Sequence, residues 1–266
     1  FFKQKTAYEI PKRDWSSDVC SSDLDGAMSL NYEFNWGILL EDPQRAWIIE
    51  GLATTVGLSL LAWVFALLIG IVVGTMRMTR SPWLRFMGSA YVELFRNIPL
   101  LVQLFIWFFV FPLLLPREWM LAWNRLDHVP FLTALIGLSL FMAARVAEQI
   151  RSGISAIPKG QFDAARSTGL TGAQTYRFVI VPYAFRVMIP AIASEFITTF
   201  KNSALALTIG VAEITYAARS IESWSFRGIE AFTVASLTYM ATTAAVVLFM
   251  GWLEQKLKIP GLIARR

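Results

Sequence analysis

Two stretches of this chain hold residues able to do chemistry. The first is polar and basic and lies between long apolar segments: Gly160-Gln161-Phe162-Asp163-Ala164-Ala165-Arg166-Ser167-Thr168-Gly169, followed by Val179-Ile180-Val181-Pro182. The chemistry it offers is contact with a partner. As a short helix, Ala164 and Ala165 would permit close packing, Asp163 would sit favourably near an N-terminus, and Gly169 would end the turn. The alternative is an ordinary amphipathic loop helix on a membrane surface. The second stretch places charges inside apolar sequence, with Lys201, Asn202 and Ser203 preceded by Glu195, and with Arg145 and Glu148 on an earlier segment. A substrate bearing a carboxylate would find at Lys201 a cation and two hydrogen-bonding groups. The competing role for Lys201 is a structural or gating ion pair with Glu195, Glu148 or Glu93. Arg145 with Glu148, and Glu93 with Arg96, have the i,i+3 spacing of helix-face pairs.

These groups must be positioned by a membrane protein. Hydrophobic residues make up 56% of the chain and charged ones 16%, far from the balance of a soluble domain. A helix needs roughly 20 apolar residues to cross about 30 Å of hydrocarbon. Residues 51–76, 97–115 and 231–253 carry no charge at all, 131–150 qualifies with Arg145 and Glu148 near one end, and 188–211 is the weakest because Glu195 and Lys201 interrupt it. The expectation is an all-α protein of about five spans. Gly70 and Gly74 form a small-xxx-small pair suited to close packing within the subunit.

Five spans place the termini on opposite sides, and positive charge chooses which. Segments 77–96, 151–186 and 254–266 hold thirteen Lys and Arg, while 28–50, 116–130 and 212–230 hold five. The N-terminus is therefore expected outside and the C-terminus in the cytoplasm, with residues 163–182 on the cytoplasmic side. Trp36, Trp47, Trp119 and Trp123 read as interfacial anchors on the outer side, where Trp224, Phe226 and Arg227 also fall. His128 beside Asp127 has no second His or Cys nearby and reads as a surface residue.

Residues 1–27 contain neither an apolar signal core nor an anchor and are similar to a translated sequencing-library adapter; we expect them to be non-native, with Met28 as the start. They include Cys20, the one cysteine, and without them twenty basic residues stand against fourteen acidic ones, a net charge of +6. The domain is then 28–266, with its cytoplasmic loop at about 151–186. There is no Gly-Lys dipeptide and so no phosphate-binding P-loop. Clustered His, Cys or carboxylate ligands and nucleophile motifs are also missing, which opposes an enzyme, and no internal inverted repeat supports a secondary transporter.

The polar loop resembles the coupling signature of ABC-importer permeases: Glu-Ala-Ala, three residues, Gly, nine residues, Ile-x-Leu-Pro. Asp163 stands for the family's Glu, and Val179 and Val181 for its Ile and Leu, while Gly169 and Pro182 are intact. Residues 91–103, 147–154, 201–204 and 35–38 resemble polar amino-acid permeases of the His/Glu/Gln/Arg/opine type, and are most similar to those for glutamate and aspartate. The resemblance implies a type I ABC-importer permease fold in a bacterial inner membrane and a transport subunit that binds no cofactor. Gly160, Gln161, Asp163, Ala164, Ala165, Gly169 and Pro182 would then meet a cytoplasmic ATPase dimer that holds ATP-Mg. Lys201, Asn202, Ser203, Glu195, Glu148 and Arg145 would line or gate the path. Other implied partners are a second homologous permease chain, different from this one or identical to it, a periplasmic amino-acid-binding protein and the lipid bilayer; nucleic acid is not among them. Glutamine, histidine or arginine remain alternative substrates.

Overall fold

The computed structural model describes residues 32–257. Residues 1–27, Met28 and the basic Lys258, Arg265 and Arg266 lie outside the described part. The contacts divide the chain after Asn35. Tyr32 to Asn35 have no regular secondary structure, and the larger unit begins at Trp36.

In this larger unit a 3-10 turn, Trp36–Leu40, precedes α1, Gln44–Met76. The 33 residues of α1 reflect the long uncharged run, which leaves the backbone to satisfy its own hydrogen bonds in lipid. Helix α2, Pro82–Asn97, starts with a proline in its first turn, where the missing N–H costs nothing. It ends because Ile98 precedes Pro99 and is driven into extended geometry, φ −97° and ψ 129°. Helix α3, Leu100–Phe105, continues as a π-helical turn, Ile106–Val110, and a 3-10 turn, Phe111–Leu114. The axes of Pro82–Asn97 and Leu100–Leu114 are bent by 102°. The span expected at 97–115 is the helical run Leu100–Leu114, which begins just after this bend.

Helix α4, Arg117–Asn124, is short; α5, Val129–Ser155, is long enough to cross. Helix α6 is Lys159–Ser167, and α7, Gly172–Thr175, passes through a π-helical turn, Tyr176–Ile180, into α8, Val181–Ser203, which ends in a 3-10 turn, Ala204–Ile209. The described chain closes with α9, Ile214–Ser225, and α10, Gly228–Leu257. Among the described residues, four helical runs are long and apolar enough to cross a membrane, five if the bent pair is one span. The run expected at 188–211 is much longer, Gly172–Ile209. Thr171 starts it early: its hydroxyl accepts from the Gln174 N–H at 3.4 Å and its N–H donates to Gln174 Oε1 at 2.9 Å. The polar loop therefore shortens to residues 156–171, and Pro182 lies in the first turn of α8 instead of in a loop.

The core forms where α1 and α5 pack, with Leu58, Ala62 and Ala66 against Met142, Ala143 and Val146. Gly70 and Gly74 set that distance: a Cβ on Gly70 would come within 2.6 Å of Val146, and one on Gly74 within 3.0 Å of Ile150. Helix α8 joins through Trp63 and Phe196, whose rings are 5.1 Å apart. Of the four long runs, α10 is by far the least buried within the subunit.

Candidate functional site

Helix α6 presents the polar loop. Pro158 in extended geometry delivers the chain into it, and Gly169 at φ +79° ends it. Leu170 N–H donates to Ala165 O at 3.3 Å and Gly169 N–H to Arg166 O at 2.9 Å, the paired bonds of a Schellman cap. Ala165 is buried and Phe162 half-buried, its ring 6.1 Å from Tyr176, so this side anchors the helix. Gly160, Asp163, Ala164 and Ser167 face out and give a low-profile surface of small side chains with one carboxylate; Gln161 is also exposed. Asp163 is in the second turn, beyond the N-terminal turn expected for it, because the helix begins at Lys159.

The charged residues on the long helices are paired differently from the i,i+3 expectation. Arg145 on α5 reaches Glu195 on α8 with two bonds, Nε to Oε2 at 2.5 Å and Nη2 to Oε1 at 3.2 Å. Gln149 Nε2 adds a third donor to Glu195 Oε1 at 3.1 Å. Glu148 turns to other cations: Arg77 beyond α1 at 2.5 Å, Arg96 on α2 at 3.5 Å and Arg151 one turn on at 2.5 Å. Arg145 and Arg96 thus pair between helices, with Glu195 and Glu148, in place of the i,i+3 partners expected for them, while Glu148 keeps an i,i+3 partner in Arg151. In hydrocarbon a partner on a facing helix removes two charges from lipid at once, whereas an i,i+3 pair on one surface leaves both exposed.

Lys201, Asn202 and Ser203 do not converge. The Ser203 hydroxyl is buried and donates to Phe200 O at 2.7 Å, and Asn202 Nδ2 lies 3.7 Å from Met142 Sδ on α5. Lys201 is exposed and forms no ion pair among the described residues, so the expected pairing with Glu195, Glu148 or Glu93 is corrected. It lines an open groove of about 680 Å³ between α8 and α10, with Ala204 on its own side and Tyr239, Thr243 and Val247 opposite. Among the described residues no His, Cys, Asp and Glu group could hold a metal, and His128 sits at φ 63° just before α5.

Two buried carboxylates, Glu213 and Glu230, escaped the sequence reading. Glu213 caps α9 by accepting from Thr215 N–H at 2.9 Å and Tyr216 N–H at 3.0 Å. The Tyr239 hydroxyl on α10 donates to it, and Thr55 on α1 accepts from Ile214 N–H at 3.2 Å. The network ties α9 to two long helices, and Tyr239 connects it to the groove of Lys201. An acidic residue just ahead of an amphipathic run was the available signal.

Residues 66–259 match the family model described as "Binding-protein-dependent transport system inner membrane component". The glutamate/aspartate import permease protein GltJ of Escherichia coli K12 is 39% identical over 242 residues, 87% of this chain and 98% of that protein. The probable amino-acid ABC transporter permease protein PatM of Vibrio harveyi is 36% identical, covering 79% and 91%. Among solved structures, an amino acid ABC transporter with histidines superposes with a TM-score of 0.74 at 30% identity, covering 85% of this chain and all of that one. The MetNI methionine ABC transporter in inward-facing form gives 0.64 at 20% identity, a likeness of fold, covering 82% and 100%.

Proposed function

The chain belongs to the family of binding-protein-dependent transport system inner membrane components, and from that premise we propose that it is one permease subunit of an ATP-driven importer of glutamate and aspartate. It is an amino-acid ABC permease with the type I importer fold. The acidic substrate rests on one observation, the 39% identity that spans 98% of a glutamate/aspartate import permease.

The residues fit this role. The exposed small-residue face of α6 suits insertion into a groove on an ATPase, which would bring the ATP and Mg that a chain without a P-loop does not hold. The side bearing thirteen of the basic residues is the cytoplasmic one on this reading. A second homologous permease, different or identical, would cover part of α10, and a periplasmic binding protein would deliver substrate to the opposite side. Arg145, Glu195 and Glu148 hold helices together, and Lys201, unpaired among the described residues, is the cation on the path or its gate.

The test is uptake by proteoliposomes containing this chain, its ATPase, its companion permease and the binding protein, with labelled glutamate, aspartate, glutamine, histidine and arginine offered separately. Glutamate and aspartate should accumulate only with ATP. Accumulation without ATP, or of a neutral or basic amino acid alone, would overturn the reading. In the same system Lys201→Gln should raise KM; unchanged kinetics would remove Lys201 from the path and leave the importer assignment intact.

A further inference from the structure

Helix α2 falls in a segment whose sequence reads as a basic loop, yet it is a sixteen-residue helix with three distinct sides. One side is fixed to the protein. Val92 is buried with Val73, Ala144 and Ala147, and a Cβ on Gly88 would come within 3.2 Å of Val73 O. A second side is apolar and uncovered in the subunit: Trp83, Met87, Ala90 and Leu94 recur at i, i+4, i+7 and i+11, and all are exposed, Trp83 by 66%. Phe86, 64% exposed, extends that side and stacks on Trp83 with ring centroids 6.1 Å apart. The third side is a polar edge of Arg85, Glu93 and Arg96. Since α2 meets the Leu100–Leu114 run at 102°, a crossing orientation of that run lays α2 close to the membrane plane. A helix with an apolar stripe, a basic edge and such an orientation is built for the interface between headgroups and acyl chains.

The polar edge carries more cation than the protein neutralises. Glu148 is met by three guanidiniums, and the side chains of Arg96 and Arg151 remain 48% and 41% exposed. The two converge on the same carboxylate from different helices, Arg96 at 3.5 Å and Arg151 at 2.5 Å, and with five N–H donors on each guanidinium one carboxylate does not use them all. Across the segments that meet here, Arg77, Arg80, Arg85, Arg96 and Arg151 stand against Glu93 and Glu148, five charges against two. A free inorganic anion would satisfy the arginines but leave the stripe on the other side of α2 in water. A lipid with an anionic headgroup satisfies both.

We propose that α2 is an interfacial helix and that Arg96 and Arg151, held together by Glu148, seat the phosphate of an anionic phospholipid such as phosphatidylglycerol. Guanidinium suits the task because its fork can bond the carboxylate on one edge and a phosphate on another. The site holds whichever amino acid is carried, since it involves neither the groove at Lys201 nor α6.

Native mass spectrometry tests this on the full chain, isolated in its membrane assembly from bilayers of equal phosphatidylglycerol and phosphatidylcholine. The wild type should retain phosphatidylglycerol with a preference of about fivefold, the order expected for one arginine at an anionic surface. Arg96→Gln with Arg151→Gln should abolish the preference. Equal retention by the wild type, which needs no variant and so no assumption about folding, would overturn the proposal. So would a preference that survives the double substitution, or displacement of the lipid by excess inorganic phosphate, which would make this a small-anion site. A second readout uses brominated phosphatidylcholine: the difference between wild type and Trp83→Phe should show Trp83 fluorescence quenched. An unquenched Trp83 would place a protein partner on the stripe and sink the interfacial helix.

Discussion

Arg145 and Glu195 form one pair, yet they would be missed unequally. The Glu195 side chain is 6% exposed, while that of Arg145 is 38% exposed and can turn its long stem toward water. Removing Arg145 strands a buried carboxylate with only Gln149 as a donor, a loss of about 3 kcal/mol by analogy with broken buried pairs. Replacing Glu195 by Gln keeps the shape and an acceptor oxygen for Arg145, and removes only the carboxylate charge, for about 1 kcal/mol. Unfolding in mixed micelles, followed by titration with a denaturing detergent, should therefore rank Arg145→Ala as the worse variant. The reverse order would mean that Arg145 is sealed from water by a partner in the assembly. What hydropathy made readable is that Lys201, Glu195, Arg145 and Glu148 interrupt apolar runs. Their partners on other helices were not readable, because an i,i+3 rule sees one helix at a time: it could reach Arg151 from Glu148, but the remaining bonds run from α5 to α8 and from α5 to α2 and the residue after α1.

Between helices, packing distance is set by what lacks a side chain. A methyl at Gly70 would press on Val146 at 2.6 Å with the Ala143 carbonyl at 3.0 Å, so α1 and α5 would have to separate. Gly57, on the same helix, has nothing within 4 Å of an added Cβ. Gly70→Ala should cost about 1 to 3 kcal/mol, the range for overpacking. Gly57→Ala should be neutral or gain up to about 1 kcal/mol from helix propensity. The same detergent titration compares them; equal effects would mean that α1 and α5 slide past each other without loss. Long uncharged runs made α1, α5 and α10 legible in the sequence, since lipid forces such segments to close their own hydrogen bonds as helices. Where the reading departed from the fold, local backbone chemistry intervened. Pro99 held Ile98 extended and set the second span at an angle of 102° to the helix before it, and the Thr171 and Gln174 cap began the run expected at 188–211 well before its apolar core. Helix α2 was hidden differently: its arginines entered a charge count for the loop, which is blind to the periodicity of Trp83, Met87 and Leu94.

At the scale of the molecule, charge distribution and tertiary structure constrain topology from different directions. Thirteen basic residues against five choose a side by statistics of insertion alone. The Glu148 cluster chooses independently which ends lie together, because Arg77 after α1, Arg96 near the end of α2 and Arg151 near the end of α5 cannot meet one carboxylate from opposite faces of a bilayer. These three ends flank the first two basic segments, so the fold and the charge count demand a common side for residues 77–96 and for α6. Cysteine accessibility measures it directly, with Cys20→Ser removing the one thiol in the sequence. In that background Thr79→Cys and Ser167→Cys should resist a membrane-impermeant maleimide in intact spheroplasts and react after permeabilisation. Asn124→Cys, at the end of α4 and exposed, should react in intact spheroplasts. Inversion of all three would refute the charge-based orientation and leave the fold standing. A split between Thr79→Cys and Ser167→Cys would refute the arrangement of α1, α2 and α5 around Glu148, because no rotation of the whole subunit can put those two positions on different sides. Agreement of the two with each other, and opposition to Asn124→Cys, would place α6 where a cytoplasmic ATPase can engage it.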